Sequence, residues 1–175
     1  MRLASRLFLL LFLSVTNPAT QADVTSKGEA GFNLKITGVA NVPPAVAYEQ
    51  FLDIGECWLS SHTWYRDASN LSVEAKAGGC FCEKSDGSEV LQMLVTFIKP
   101  NAEIKMVDGL GPLQMMDIHS GMSWSFEPAK NGTLITLTYN VTGYAPGGLS
   151  DIADIDDAVQ TDQLNALVKH LFASR

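Results

Sequence analysis

Apolar and polar residues change their period three times along this chain, and the changes divide it into recognisable elements. Phe32, Leu34 and Ile36 alternate with Asn33, Lys35 and Thr37, the period of two that predicts a half-buried strand. Asn41-Val42-Pro43-Pro44 stops the strand, and proline is well tolerated in a first helical turn. Ala45, Tyr48, Phe51 and Leu52 then follow helical spacing and end near Gly55. A second short helix is expected over Glu56 to Ser61. Period two returns in the middle of the chain. Leu71, Val73 and Ala75 alternate before Gly78-Gly79, and Asp86-Gly87 is a hairpin signal. Leu91, Met93, Val95 and Phe97 are expected on one strand face, with Ile104 and Met106 continuing the pattern. Met122, Trp124 and Phe126 form one face of a long strand, and Ile135, Leu137, Tyr139 and Val141 one face of the next. Asn131-Gly132 is the expected turn between them. From Ile152 to Leu171 apolar residues recur at three and four, which predicts a long amphipathic helix. Asp151, Asp154, Asp156 and Asp157 crowd its start and Lys169, His170 and Arg175 its end, an order that complements the helix dipole. Strand, two helices, about six strands and a long helix make an α+β domain with an antiparallel sheet covered on its apolar face.

The first residues follow a different rule. Arg2 and Arg6 precede an apolar run from Leu7 to Val15, Asn17-Pro18 breaks it, and Thr20-Gln21-Ala22 supplies small residues before a cut. That is the pattern of a cleaved secretory signal peptide over residues 1–22, and the run is too short to span a bilayer. Residues 23–175 are then one domain, opened by a short polar lead-in over 23–29. Removing Arg2 and Arg6 takes the 12 basic residues to 10 against 19 acidic ones, so the formal charge moves from −7 to −9. Such a surface disfavours nucleic acid and anionic membranes as partners. Export also bears on Cys57, Cys80 and Cys82, because an oxidising compartment favours one disulfide and one free thiol. On a flat strand Cys80 and Cys82 lie about 6.6 Å apart with parallel side chains, a poor bridging geometry. Cys57 is therefore expected to pair with one of them. Asn70, Asn131 and Asn140 begin Asn-x-Ser/Thr sequons, relevant only in a eukaryotic secretory route.

Several local features carry a resemblance to a known superfamily. Val42-Pro43-Pro44 opens the first helix, and Trp58 and Trp64 lie around the second. Gly78-Gly79-Cys80-Phe81 places a glycine pair before a strand phenylalanine. Trp124-Ser125-Phe126-Glu127-Pro128 precedes Asn131-Gly132-Thr133. In this order they resemble the START-like, or SRPBCC, superfamily, in its polyketide cyclase/dehydrase and heat-shock-ATPase-activator-like branch, from about Phe32 to Phe172. Gly109-Leu110-Gly111-Pro112-Leu113 and Gly143-Tyr144-Ala145-Pro146-Gly147-Gly148 look like a subgroup of exported bacterial proteins. The resemblance implies a helix-grip fold, a curved antiparallel sheet wrapped around a long C-terminal helix. It also implies a cavity between the two for a lipid, a polyketide or another small hydrophobic molecule.

The candidate ligand-binding residues are Trp64, Met93, Phe97, Met106, Met115, Trp124, Phe126, Leu164 and Leu167. Flexible, polarizable methionines suit irregular apolar sites, although they fill ordinary cores equally well. His62 and Tyr65 follow the second helix, where the resemblance places a cavity mouth, and are candidates for a general base and a hydrogen-bond donor. Asp117 and His119 flank Ile118 and share a strand face, a second candidate acid–base pair. Neither a C-x2-C pair, a phosphate-binding loop, a dinucleotide fingerprint, G-x-S-x-G nor H-E-x-x-H occurs, so no metal or cofactor is expected. The leading expectation is an exported binding protein for a small hydrophobic ligand. The alternatives are a cyclase- or dehydratase-like enzyme and a protein-interaction module using the 143–149 loop.

Overall fold

The computed structural model describes residues 20–173; the predicted signal sequence up to residue 19 lies outside them. The described chain forms β1 (Gln21–Gly28), β2 (Gly31–Ala40) and α1 (Pro44–Leu52), followed by three single 3-10 turns at Ile54–Glu56, Ser60–His62 and Ala68–Asn70. Six more strands come next: β3 (Leu71–Val73), β4 (Cys80–Ser85), β5 (Ser88–Lys99), β6 (Glu103–Val107), β7 (Asp117–Ala129) and β8 (Gly132–Tyr144). A 3-10 segment at Gly111–Met115 interrupts them, and α2 (Ser150–Ala173) closes the chain. All neighbouring strands are antiparallel, in the order β1-β2-β8-β7-β6-β5-β4-β3. The protein is thus α+β, with one curved sheet wrapped around a long C-terminal helix.

The predicted apolar faces of β2, β7 and β8 are the core. Phe32, Leu34, Ile36, Met122, Trp124, Phe126, Ile135, Leu137, Tyr139 and Val141 are all buried. α1 sets Phe51 against Trp124, with ring centroids 4.8 Å apart, and Tyr48 edge-on to Phe126 at 5.6 Å. The Tyr48–Phe126 contact is the favourable edge-to-face geometry, and the Phe51–Trp124 rings are tilted by 37°. α2 seats Leu164 and Val168 over Gly38 of β2, where a Cβ would meet Val168 at 3.2 Å and Leu164 at 3.5 Å. The glycine lets the helix approach the strand closely.

Several expectations are corrected. The short polar lead-in expected over 23–29 is, up to Gly28, part of β1, an edge strand paired with β2 from Gln21↔Thr37 to Gly28↔Gly31. Most of β1 is exposed, so it is held by backbone pairing and leaves no apolar alternation to read. The expected cleavage point after Ala22 falls inside this strand. The second helix over Glu56 to Ser61 is replaced by 3-10 turns. The β7–β8 hairpin turns at Lys130-Asn131, one residue earlier than expected. Gly132 pairs with Ala129 at a φ of 128°, and a Cβ there would lie 2.2 Å from the Ala40 carbonyl oxygen. Only glycine fits that place.

β5 departs from a single face because its pairing shifts twice, once opposite Phe81/Cys82 and once between Val95 and Phe97. Each bulge inserts one residue and reverses the facing of the residues beyond it. Met93 and Val95 consequently point inward, whereas Leu91 and Phe97 are exposed. The first irregularity also explains the disulfide, which joins Cys80 to Cys82 and not to Cys57. β4 is contracted there, with the two Cα atoms 5.4 Å apart, inside the bridging range. Cys57 is a buried free thiol that donates to the Ile54 carbonyl at 3.6 Å.

Candidate functional site

The cavity lies at the N-terminal half of α2, about 580 Å³ in volume and within the usual range for small-molecule sites. Phe81 and Gln92 of β4 and β5 contribute the sheet wall. Trp58, His62, Thr63 and Trp64 of the segment after α1 form a second wall. Leu110, Pro112, Leu113 and Met116 form a third. Ile152, Ile155, Asp156, Val159 and Gln160 of α2 complete it. The lining is mainly apolar. Trp64 is 45% and Ile155 66% exposed, so large apolar side chains stand open to solvent at the rim, as at a binding groove.

Polar struts hold each wall. Glu83 is fully buried on the inner face of β4. Its carboxylate accepts from the backbone N–H of Trp64 at 2.9 Å, from that of Tyr65 at 2.7 Å and from Gln92 Nε2 at 3.0 Å. A buried carboxylate is tolerable only with such a set of donors. From the other side, Gln163 of α2 accepts from the Leu59 N–H at 3.0 Å and places its Nε2 2.7 Å from His62 Nδ1. Because the amide oxygen is committed to Leu59, the amide nitrogen must donate to the ring. His62 Nδ1 is then the acceptor of this bond, which leaves Nε2 as the ring's donor nitrogen. Tyr139 Oη accepts from the Leu110 N–H at 3.3 Å, and Gln114 Nε2 donates to the Leu91 carbonyl at 2.7 Å. These two bonds fix the 110–116 wall to β8 and β5.

One part of the wall is polar and unfinished. Gln160 is fully buried. Apart from the interaction of its amide with the Asp156 carboxyl one turn away, neither its Nε2 nor its Oε1 has a hydrogen-bond partner among the described residues, and the same is true of Gln92 Oε1 and Asp156 Oδ2. Burial raises the Asp156 carboxyl to about 6; the nearby Gln160 amide offsets this only in part, and the Asp157 charge adds to it. Burial and the Asp156 charge push the Tyr139 phenol upward as well.

Of the nine predicted ligand-binding residues, Trp64 lines the cavity. Met93, Met106, Trp124 and Phe126 are buried in the core, with Trp124 Nε1 donating to Met122 Sδ at 3.3 Å. Leu164 and Leu167 are buried in the C-terminal half of α2, beyond the cavity. Phe97 is exposed with Lys105 Nζ 5.2 Å from its ring centroid, and Met115 is exposed. Of the catalytic candidates, His62 lines the cavity, while Tyr65 lies beside it with its backbone held by Glu83. Asp117 and His119 do share a face of β7, but it is the exposed one, opposite Tyr144 and Thr142. Sequence reasoning missed Glu83, Gln92, Asp156, Gln160 and Gln163. One signal was present: Asp156, Gln160 and Gln163 interrupt the apolar stripe of α2 at helical spacing, on the face that includes Val159, Leu164 and Leu167.

Among the described residues no helix is long and apolar enough to cross a membrane. No family model and no curated protein matches this sequence. Solved structures do match. A structural-genomics protein of Mesorhizobium loti superposes with a TM-score of 0.60 at 15% identity, covering 82% of this chain and 98% of its own. A protein of Mycobacterium smegmatis gives 0.55 at 17% identity over 86% of this chain and 96% of its own. DynU16, from the dynemicin biosynthetic locus, gives 0.56 at 14% identity over 82% of this chain and 48% of its own. The Mesorhizobium and Mycobacterium proteins match over almost their whole length and DynU16 over about half of its own; with the curved antiparallel sheet and its closing helix, these matches identify the chain as one of helix-grip fold.

Proposed function

We propose that this protein is exported and binds a small hydrophobic molecule, of lipid or polyketide-like character, in the cavity beside the N-terminal half of α2. The START-like resemblance of the sequence and the charge, apolar run and small residues of 1–22 support this reading. The observation that carries it is the cavity itself: about 580 Å³, walled by aromatic and aliphatic side chains, with exposed Trp64 and Ile155 at its rim. Burial of apolar ligand surface, worth about 25 cal/mol per Å², drives binding, and a few fixed polar groups orient the ligand.

Native mass spectrometry of the protein purified from the envelope fraction of its own host tests this. A reproducible added mass that extracts into organic solvent is expected, on a chain that begins at Asp23. Val159 faces the cavity from α2, so Val159→Phe fills it; the variant is expected to fold and to lose the added mass. An unliganded wild-type protein, or a folded Val159→Phe that retains its ligand, overturns the reading.

A further inference from the structure

The unfinished stretch of the cavity wall has a chemical bias. Its unpartnered acceptors are Gln92 Oε1, Asp156 Oδ2 and Gln160 Oε1; Gln160 Nε2 carries two N–H donors, one of which the Asp156 carboxyl beside it can take, which leaves one for a ligand. Asp156 and Gln160 stand one turn apart on α2, and Gln92 lies in the sheet wall of the same cavity. Gln92 cannot turn its amide to relieve the excess, because its Nε2 is committed to Glu83. Folded proteins rarely leave buried polar atoms unmatched, and such atoms mark where something else binds. A ketone, ester or carboxylate only accepts and answers the single donor. A hydroxyl both donates and accepts. An anion meets a carboxyl oxygen and two amide oxygens with no buried cation beside them, since Arg66, the cation among the lining residues, is exposed.

We infer that the cavity selects a neutral apolar ligand carrying a hydroxyl group, alcohol or phenol, which is read by Gln160, Asp156 and Gln92. This rests on the binding function proposed above and adds the class of ligand. Gln160 is then a specificity residue: empty, it burdens the fold with an unsatisfied amide, and it recovers that cost only against a matching group.

Isothermal titration calorimetry near neutral pH with four probes tests it: 2-naphthol, 2-methylnaphthalene, 2-naphthoate and 2-naphthylmethylamine. The wild-type protein is expected to bind 2-naphthol about tenfold more tightly than 2-methylnaphthalene, and 2-naphthoate most weakly. Gln160→Leu is expected to erase the naphthol preference, to keep 2-methylnaphthalene binding and to melt no lower than wild type. Equal affinities for naphthol and methylnaphthalene mean that water alone satisfies these groups; they overturn the inference and leave the binding function standing. Tightest binding of the naphthoate or the amine overturns it in favour of a charged ligand. Failure of every probe to bind overturns the binding function and the inference together.

Discussion

Asp156 shows how one side chain couples the cavity to pH. Its carboxyl is raised to about 6 in the folded protein, chiefly by burial, against about 3.9 in an unfolded chain. Between those values the folded state holds more protons than the unfolded one, so stability falls as pH rises and levels off above about 6. The full penalty is about 2–3 kcal/mol for a shift of this size. Asp156→Asn is therefore expected to be more stable than wild type at neutral pH by up to that amount and equal to it below about pH 4. Urea unfolding of both proteins across this range checks the sign; a gap that widens toward acid overturns it. Cys57 illustrates the opposite outcome of burial, inertness. Its thiol is pushed up to about 12 by burial, with Glu56 and Asp53 adding to the effect, and the thiolate is the reactive form. Thiol titration is expected to find no reactive cysteine in the native protein, one in denaturant and three after reduction.

At the scale of elements, the cavity depends on irregular segments tied to regular ones. The 58–66 segment contains only the single 3-10 turn Ser60–His62 and no strand, and it is held by Glu83 from the sheet and by Gln163 from α2. Gln163→Leu removes the acceptor of Leu59 and the donor to His62. Hydrogen exchange is expected to quicken at residues 59–64 while the C-terminal half of α2, packed over β2, stays protected. Ligand affinity falls with the loosened wall. Unchanged exchange in that segment would show that Glu83 alone fixes it. The β5 bulges act at the same scale: two inserted residues turn Met93 and Val95 inward and Phe97 outward, and the local contraction of β4 permits the Cys80–Cys82 bridge. A period-two pattern carries no mark of either bulge, because a bulge is a property of the pair of strands.

For the molecule as a whole, a ligand that binds only the folded state adds its own binding free energy to stability. At a free concentration one hundred times Kd this is about 2.7 kcal/mol, which for a domain of this size corresponds to a rise of about 5–10 °C in Tm. Thermal melting in the presence of the extracted ligand is expected to show that rise for wild type and none for Val159→Phe. The sheet core contributes to stability in both proteins, so a comparable rise in the two would place the ligand elsewhere.

The sequence by itself determined the strands with clean alternation, the long closing helix and the α+β order of elements. These arise from local periodicity, and each apolar face must be buried whatever covers it. The superfamily resemblance placed His62 and its neighbours Trp64 and Tyr65 at a cavity mouth; His62 and Trp64 line the cavity, and Tyr65 does not. Only the tertiary structure decided that the cavity sits against Ile152–Gln160 and not against Leu164 and Leu167. Both halves of α2 present an inward stripe, and the separation between helix and sheet, which distinguishes a packed contact from a cavity, is set by the curvature of distant strands and by Gly38 beneath the C-terminal half. The same holds for Glu83, Gln92 and Gln163. Their partners lie from 9 to 104 residues away in the chain, so their roles arise only when the sheet, the helix and the 58–66 segment meet.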